Sequence, residues 1–143
     1  MPAEEMFQGF QFNRETIAEL ERLAIERTGR AEQPHFEEIK RRTADWSDEE
    51  FRQVDRDGAE IERRLLDLLR AGVAPDDPAV FDVLDDDVAA QSRFLALDAE
   101  HYAALGRAFA AAPELRAHLD AQDPRLAEYM RDGMVAYAAQ RLA

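Results

Sequence analysis

Along most of this chain apolar residues recur at alternating spacings of three and four, the period of a helix that buries one face. Sustained two-residue alternation is missing and β-branched residues are few, so the pattern predicts an all-α fold. Asn13 is placed to cap a helix through Ile17, Leu20 and Ala24 that ends at Gly29, and Pro34 opens a short helix through Phe36 and Ile39. Ser47 with Glu50 forms a capping box. Behind it Phe51, Val54, Ile61, Leu65 and Leu68 trace one long amphipathic helix to about Arg70, roughly 35 Å at 1.5 Å per residue, stopped by Gly72. In the second half Asp77-Pro78, Ala112-Pro113 and Asp123-Pro124 each put proline where a first helical residue belongs. The first of these helices carries Phe81, Leu84 and Val88 toward Phe94. The second is short, with Leu115 and Leu119, and the third runs through Leu126, Tyr129, Met130, Met134 and Tyr137 to the end of the chain. Asp98 is placed to cap a helix through Tyr102, Leu105 and Phe109. Periodicity is strong over 47–143 and weak over 1–46. The expectation is a helical core over 47–143 and, over 1–46, a loosely held segment of the same domain, whose Phe7, Phe10 and Phe12 give it something to bury.

A length of 143 residues suits a single domain. Every long apolar run is broken by charge, so no membrane span is expected, and Met-Pro-Ala-Glu-Glu at the start lacks the basic and apolar regions of a secretion signal, implying a cytoplasmic protein. Cysteine is absent, which excludes disulfides, thiolate metal sites and a thiol nucleophile. The net charge is −13, and both halves are acidic. Such a surface repels phosphate backbones, so DNA binding by this chain alone is not expected.

Catalytic patterns are missing. Ser47 serves as a cap and Ser92 lacks a nucleophile elbow, while no glycine-rich phosphate loop occurs, so neither catalytic residues nor a cofactor are expected. His35 follows Glu32 at the spacing of a di-iron ligand pair, but Pro34 intervenes and no second Glu-x-x-His exists, so no metal site is expected. His118 is expected on the surface of its short helix. His101, beside Tyr102, is either a partly exposed helix histidine or a pocket contact. Asp85, Asp86 and Asp87 point about 100° apart on a helix and cannot converge on one ion. Asp87, near Leu84 and Gln91, is the candidate for an inward-facing carboxylate, against the alternative of a solvated face. The aromatic and methionine set of Phe81, Phe94, Tyr102, Phe109, Tyr129, Met130, Met134 and Tyr137 fits either plain core or a cleft wall. Two features favour a cleft: tyrosine hydroxyls at an inward face need partners, and Gly133 beside Met134 would thin a helix wall.

One stretch carries a resemblance. Asp-Pro-Arg-Leu-Ala-Glu-Tyr-Met-Arg-Asp-Gly-Met-Val-Ala-Tyr-Ala-Ala, residues 123 to 139, resembles the closing helix of the TipAS-type antibiotic-recognition domains of MerR-type transcription regulators. Upstream, Gly106-Arg-Ala-Phe109 with Leu115, and Thr43-Ala-Asp-Trp-Ser-Asp-Glu-Glu-Phe51, match the same family in order and spacing, as do Glu5-Met-Phe7 and Phe10. The resemblance implies a globin-like helical fold, a deep ligand cleft among the C-terminal helices, and an N-terminal part that is mobile until ligand closes it. It also implies that DNA is bound through a separate N-terminal domain, with a homodimer in the full regulator and a monomer as the isolated domain. Departures are a leucine at 115 in place of an aromatic, Arg125 in place of glycine, and Asp87 where the family often has histidine. Thiopeptide-binding relatives can capture ligand through a cysteine near Leu97 and Asp98; this chain has none.

Two functions follow. In the first, a bulky hydrophobic or amphipathic molecule, such as an antibiotic, enters a cleft lined by Phe94, His101, Tyr102, Leu105, Tyr129, Met134 and Tyr137, with Asp87 and Gln91 as polar contacts. Phe7, Phe10, Phe12 and Trp46 then belong to a lid that the ligand orders. The alternative is a protein-interaction or signal-coupling module with no small-molecule ligand, which an exposed apolar groove would favour.

Overall fold

The computed structural model describes residues 11–29 and 33–143. They are helical, with no strand among them: α1 (Arg14–Thr28), α2 (Gln33–Arg42), α3 (Asp48–Arg70), α4 (Pro78–Gln91), α5 (Ala99–Ala111), α6 (Pro113–Asp120) and α7 (Leu126–Tyr137), which a π-type turn over Ala138–Leu142 extends. The helix starts follow local chemistry. The Asn13 side chain accepts from the Thr16 amide (2.9 Å) while the Thr16 hydroxyl accepts from the Asn13 amide (3.0 Å). Ser47 and Glu50 make the same reciprocal pair for α3, whose first turn holds Asp48, Glu49 and Glu50 and whose last holds Arg70, signs that suit the helix dipole. The end of α3 is a Schellman turn: Gly72, at φ 77°, donates to the Leu69 carbonyl (3.1 Å) and Val73 donates to that of Leu68 (3.0 Å). Two predicted boundaries move. Helix α4 stops at Gln91, short of Phe94, which lies in the following turn. Helix α7 starts at Leu126, since the Asp123 carboxylate collects the Arg125 amide (2.9 Å) and guanidinium and caps a turn containing Pro124. Those hydrogen bonds hold Asp123 down at about 2.

The main core lies among α3–α7. Leu65, Leu119, Leu126 and Met134 are fully buried in it, together with Tyr102, Val80 and Leu84. Helices α5 and α7 form its centre, and their close approach depends on Gly106: a Cβ there would lie 2.9 Å from the Cβ of Met134. Gly133 is closed in on the other side of α7, by the Pro75 carbonyl at 3.1 Å and Val80 at 3.2 Å from a Cβ position. It seats the α3–α4 connection and α4 on α7; the wall there is filled by the protein itself, not thinned for a ligand.

A second, smaller cluster joins the N-terminal helices to this body. Phe12, Ile17, Ile39, Phe51 and Phe94 are its buried members, with Phe36, Trp46, Val54 and Leu95 packed around them. Helices α1 and α2 pack on each other and, among the described residues, bring no backbone close to another helix; side chains bridge the gap. Arg42 donates to the Ser92 carbonyl (3.0 Å), Glu38 accepts from the Ala96 amide (3.0 Å), and Asp55 accepts from the Phe12 amide (2.6 Å). Arg27 grips the buried Glu114 of α6 with a guanidinium fork, one arm at 2.6 Å. Burial pushes the Glu114 carboxyl up, but the hydrogen bonds from Arg27 and its own amide outweigh that and hold it below the usual range. Arg27→Ala should therefore weaken docking of α1 by about 2 kcal/mol, as an uncompensated buried charge is left behind. In the wild-type protein this contribution is complete above the unfolded glutamate value near pH 4.5 and is lost as pH falls through the lower folded value. Urea denaturation at pH 7 and pH 3, comparing the two proteins, measures it.

Candidate ligand site

Three consecutive aspartates on α4 have three different fates, as their angular separation requires. Asp85 accepts from the Tyr137 hydroxyl (2.6 Å) and from Arg141 (2.6 Å), Asp86 pairs with Arg64 at the surface (2.8 Å), and Asp87 turns inward. Asp87 accepts from the Tyr102 hydroxyl (2.6 Å) and from the Gln91 amide (3.0 and 3.1 Å). No ion pair reaches it among the described residues. Burial pushes its carboxyl above the usual range, and the charge of nearby Glu62 adds to that, against the opposing pull of the Tyr102 and Gln91 hydrogen bonds. Glu62 on α3 is itself held by His118 (2.8 Å) and Gln122 (2.7 Å). His118 is thus a half-buried member of a polar chain, where the sequence suggested a surface residue. Burial, followed by the Asp87 charge, keeps the Tyr102 phenol far above its ordinary value and hence neutral, a hydrogen-bond donor.

A buried carboxylate held by neutral donors beside another acid costs folding energy whenever it is ionised. Asp87→Asn is expected to raise the melting temperature at pH 7 by about 2–4 °C, a change of order 1 kcal/mol in a domain of this size. The sign follows from the raised value: the penalty is full above the folded pKa of Asp87, shrinks as pH falls below it and is gone below the ordinary unfolded value, so the gain should vanish in acid. Calorimetry across pH checks both halves.

The other sequence-selected residues fall into groups. The Tyr137 ring meets Tyr102 edge-on at 5.5 Å and Phe81 at 5.8 Å, which places it beside Asp87. Leu105 is half-buried against the main core. Tyr129 donates to the Val73 carbonyl (2.9 Å), tying α7 to the end of α3. Met134 has no exposed surface. Both are packed into the main core. Phe94 belongs to the second cluster, its ring 4.7 Å from Phe12 and 6.3 Å from Trp46. His101 meets His35 of α2, the ring centres 4.0 Å apart. Phe7 and Phe10 lie outside the described residues. Four groups escaped the sequence reading: Glu62, Glu114, Arg27 and Arg141. Each looks like an ordinary solvated charge on a helix face, and only the packing of distant helices reveals its partner. Among the described residues no three metal-ligating side chains converge, and no helix is long and apolar enough to cross a membrane.

The class defined by this geometry is an all-helical domain, with a polar centre on α4 and α5 and an N-terminal pair of helices docked through side chains. The chain belongs to the TipAS antibiotic-recognition domain family, whose profile matches residues 20–137. It is 27% identical over 106 residues to the HTH-type transcriptional activators TipA of Streptomyces coelicolor and of Streptomyces lividans, a match covering 73% of this chain and 42% of each relative. The chain therefore spans less than half the length of these curated relatives. Among solved structures it resembles TipAS from Streptomyces lividans in complex with nosiheptide, described as part of a thiopeptide antibiotic multidrug resistance system. That likeness has a TM-score of 0.78 and 26% identity, covering 100% of this chain and 97% of the other, and it bears out the globin-like helical fold.

Proposed function

We propose that this chain is the effector-recognition part of a cytoplasmic transcription regulator. A bulky amphipathic molecule of the antibiotic kind binds over Asp87, Gln91 and Tyr102, within reach of Phe94, His101, Leu105 and Tyr137, and α1 and α2 close on it. The observation that carries this reading is Asp87: an inward-turned carboxylate held by the Tyr102 hydroxyl and the Gln91 amide, with no cation on it among the described residues, in a chain of the antibiotic-recognition family. Functional sites retain such costs where a plain core would have shed them. Tyr102 and Gln91 hold the acid ready, and a ligand offering donors replaces or adds to them. DNA binding belongs to another part of the regulator, as in the longer HTH-type relatives, and this chain's charge of −13 suits that division.

A thermal-shift panel led by nosiheptide and extended to other bulky amphipathic antibiotics tests the proposal. A ligand at a hundred times its dissociation constant adds about 2.7 kcal/mol. At least one compound should raise the melting temperature by several degrees, and Asp87→Ala and Tyr102→Phe should each abolish most of that rise. A panel without any stabilising compound, or a rise retained in both variants, would contradict this site.

A further inference from the structure

Helix α4 carries four acids, and the fold does not treat them alike. Asp82 and Asp85 share the Arg141 guanidinium (3.3 and 2.6 Å), and Asp86 holds that of Arg64 (2.8 Å). The buried acids of the described residues are supplied in the same way: Glu114 is gripped by Arg27, and Asp123 by Arg125 (3.0 Å). Asp87 breaks the pattern of its helix. Its Oδ2 accepts from the Tyr102 hydroxyl (2.6 Å), and the single nitrogen Gln91 Nε2 serves both Oδ2 (3.0 Å) and Oδ1 (3.1 Å). These donors are neutral, and no cationic side chain joins them among the described residues. A carboxylate offers about four acceptor positions. Oδ1, which has only its share of the Gln91 amide, keeps most of its capacity, and Asp87 is half-buried, so that capacity can be reached from solvent.

We propose that Asp87 is the cation receptor of the site: the effector carries a protonated amine, amidine or guanidine, and that group docks on the Oδ1 side of Asp87 while Tyr102 stays on Oδ2. This deepens the reading of Asp87, Gln91 and Tyr102 as the ligand site and rests on it. A cation arriving at Asp85 or Asp86 has to displace an arginine of the protein. At Asp87 it displaces none, and a charge-assisted hydrogen bond there is roughly twice as strong as the neutral ones the fold already supplies. The half-buried position also lets the ligand cation keep part of its water, which limits the desolvation cost that burdens sealed ion pairs. Tyr102, fully buried, and Gln91, one helical turn from Asp87, hold the carboxylate in place before the ligand arrives.

The test is a nuclear magnetic resonance titration of the nitrogen-15-labelled chain at pH 7.5 with benzamidinium and, separately, with benzamide, planar isosteres that differ by one charge. Benzamidinium should move the amide signals around Asp87, Gln91 and Tyr102 and bind there about tenfold or more tightly than benzamide, a ratio equivalent to about 1.4 kcal/mol. In Asp87→Asn the preference should nearly vanish. The chain's charge of −13 attracts any cation weakly, so Asp86→Asn, which changes the net charge equally, serves as the control and should retain the preference. Equal affinity for the two compounds overturns the inference, as does a preference that survives in Asp87→Asn or disappears equally in Asp86→Asn. Benzamidinium shifts that avoid the Asp87 region overturn it too. An antibiotic that stabilises the chain through Asp87 while benzamidinium shows no preference leaves the site standing and removes only its charge selectivity.

Discussion

Replacing Gly106 by valine is expected to destabilise the domain by about 3 kcal/mol, the upper range for forcing atoms into a close-packed interior. The obstruction is backbone-proximal: a Cβ at 106 would lie 2.9 Å from the Met134 Cβ and 3.5 Å from the backbone of Arg131. Truncating Met134 removes its flexible end but keeps the offending carbon, so Met134→Ala should not rescue Gly106→Val. Instead the double variant should be less stable than either single one, because a cavity is added to a clash. Chemical denaturation of the four proteins decides the matter. Rescue by Met134→Ala would mean that α5 and α7 are held apart by the methionine side chain and that the glycine is incidental.

Phe94→Ala should have a comparable effect confined to the N-terminal helices. The Phe94 ring lies against Phe12 and Trp46 in the second cluster, while the main core is built from other residues. Truncating a buried phenylalanine costs about 3–5 kcal/mol, and 3 kcal/mol corresponds to roughly a hundredfold in an opening equilibrium. Amides of residues 14–42 should lose about that much protection, the Trp46 emission should move to the red, and α5 and α7 should exchange as before. In the wild-type protein the same residues should already exchange faster than α3, since among the described residues it is side chains that bridge these helices to the body. A uniform loss of protection across all helices in Phe94→Ala would show that the two clusters melt as one unit and that no separate lid exists.

What the sequence made legible and what it concealed divide along the range of the interactions. Caps and stops are local, so Asn13, Ser47, Gly72 and Asp98 could be assigned from their immediate neighbours, and each performs the expected task. Pro124 misled because Asp123 captures Arg125 and delays the helix, a competition between side chains that proline position does not encode. In the site, the divergence of Asp85, Asp86 and Asp87 follows from helix geometry alone, and the pairing of Asp87 with Gln91 is a one-turn contact. The Tyr102 partner, the proximity of Glu62 and the Arg27–Glu114 fork join residues far apart in the chain, and no spacing rule reaches them. Glycine was the least readable residue. Gly133 suggested room for a ligand, yet its missing side chain accommodates Pro75 and Val80, and Gly106, noted only as part of a family pattern, sets the separation of the two central helices.

The central claim, a ligand held at Asp87 and Tyr102 under helices that close over it, is tested most directly by a hydrogen-exchange footprint of the strongest compound from the thermal-shift panel. Exchange should slow across residues 14–42 and around 87–102 together, with the outer faces of α3 and α6 unchanged. Slowing confined to the open recess of about 510 Å³ formed by Phe12, Arg14, Phe51 and Asp55, with Asp87 and Tyr102 unaffected, would contradict the account and move the ligand to the far end of α3.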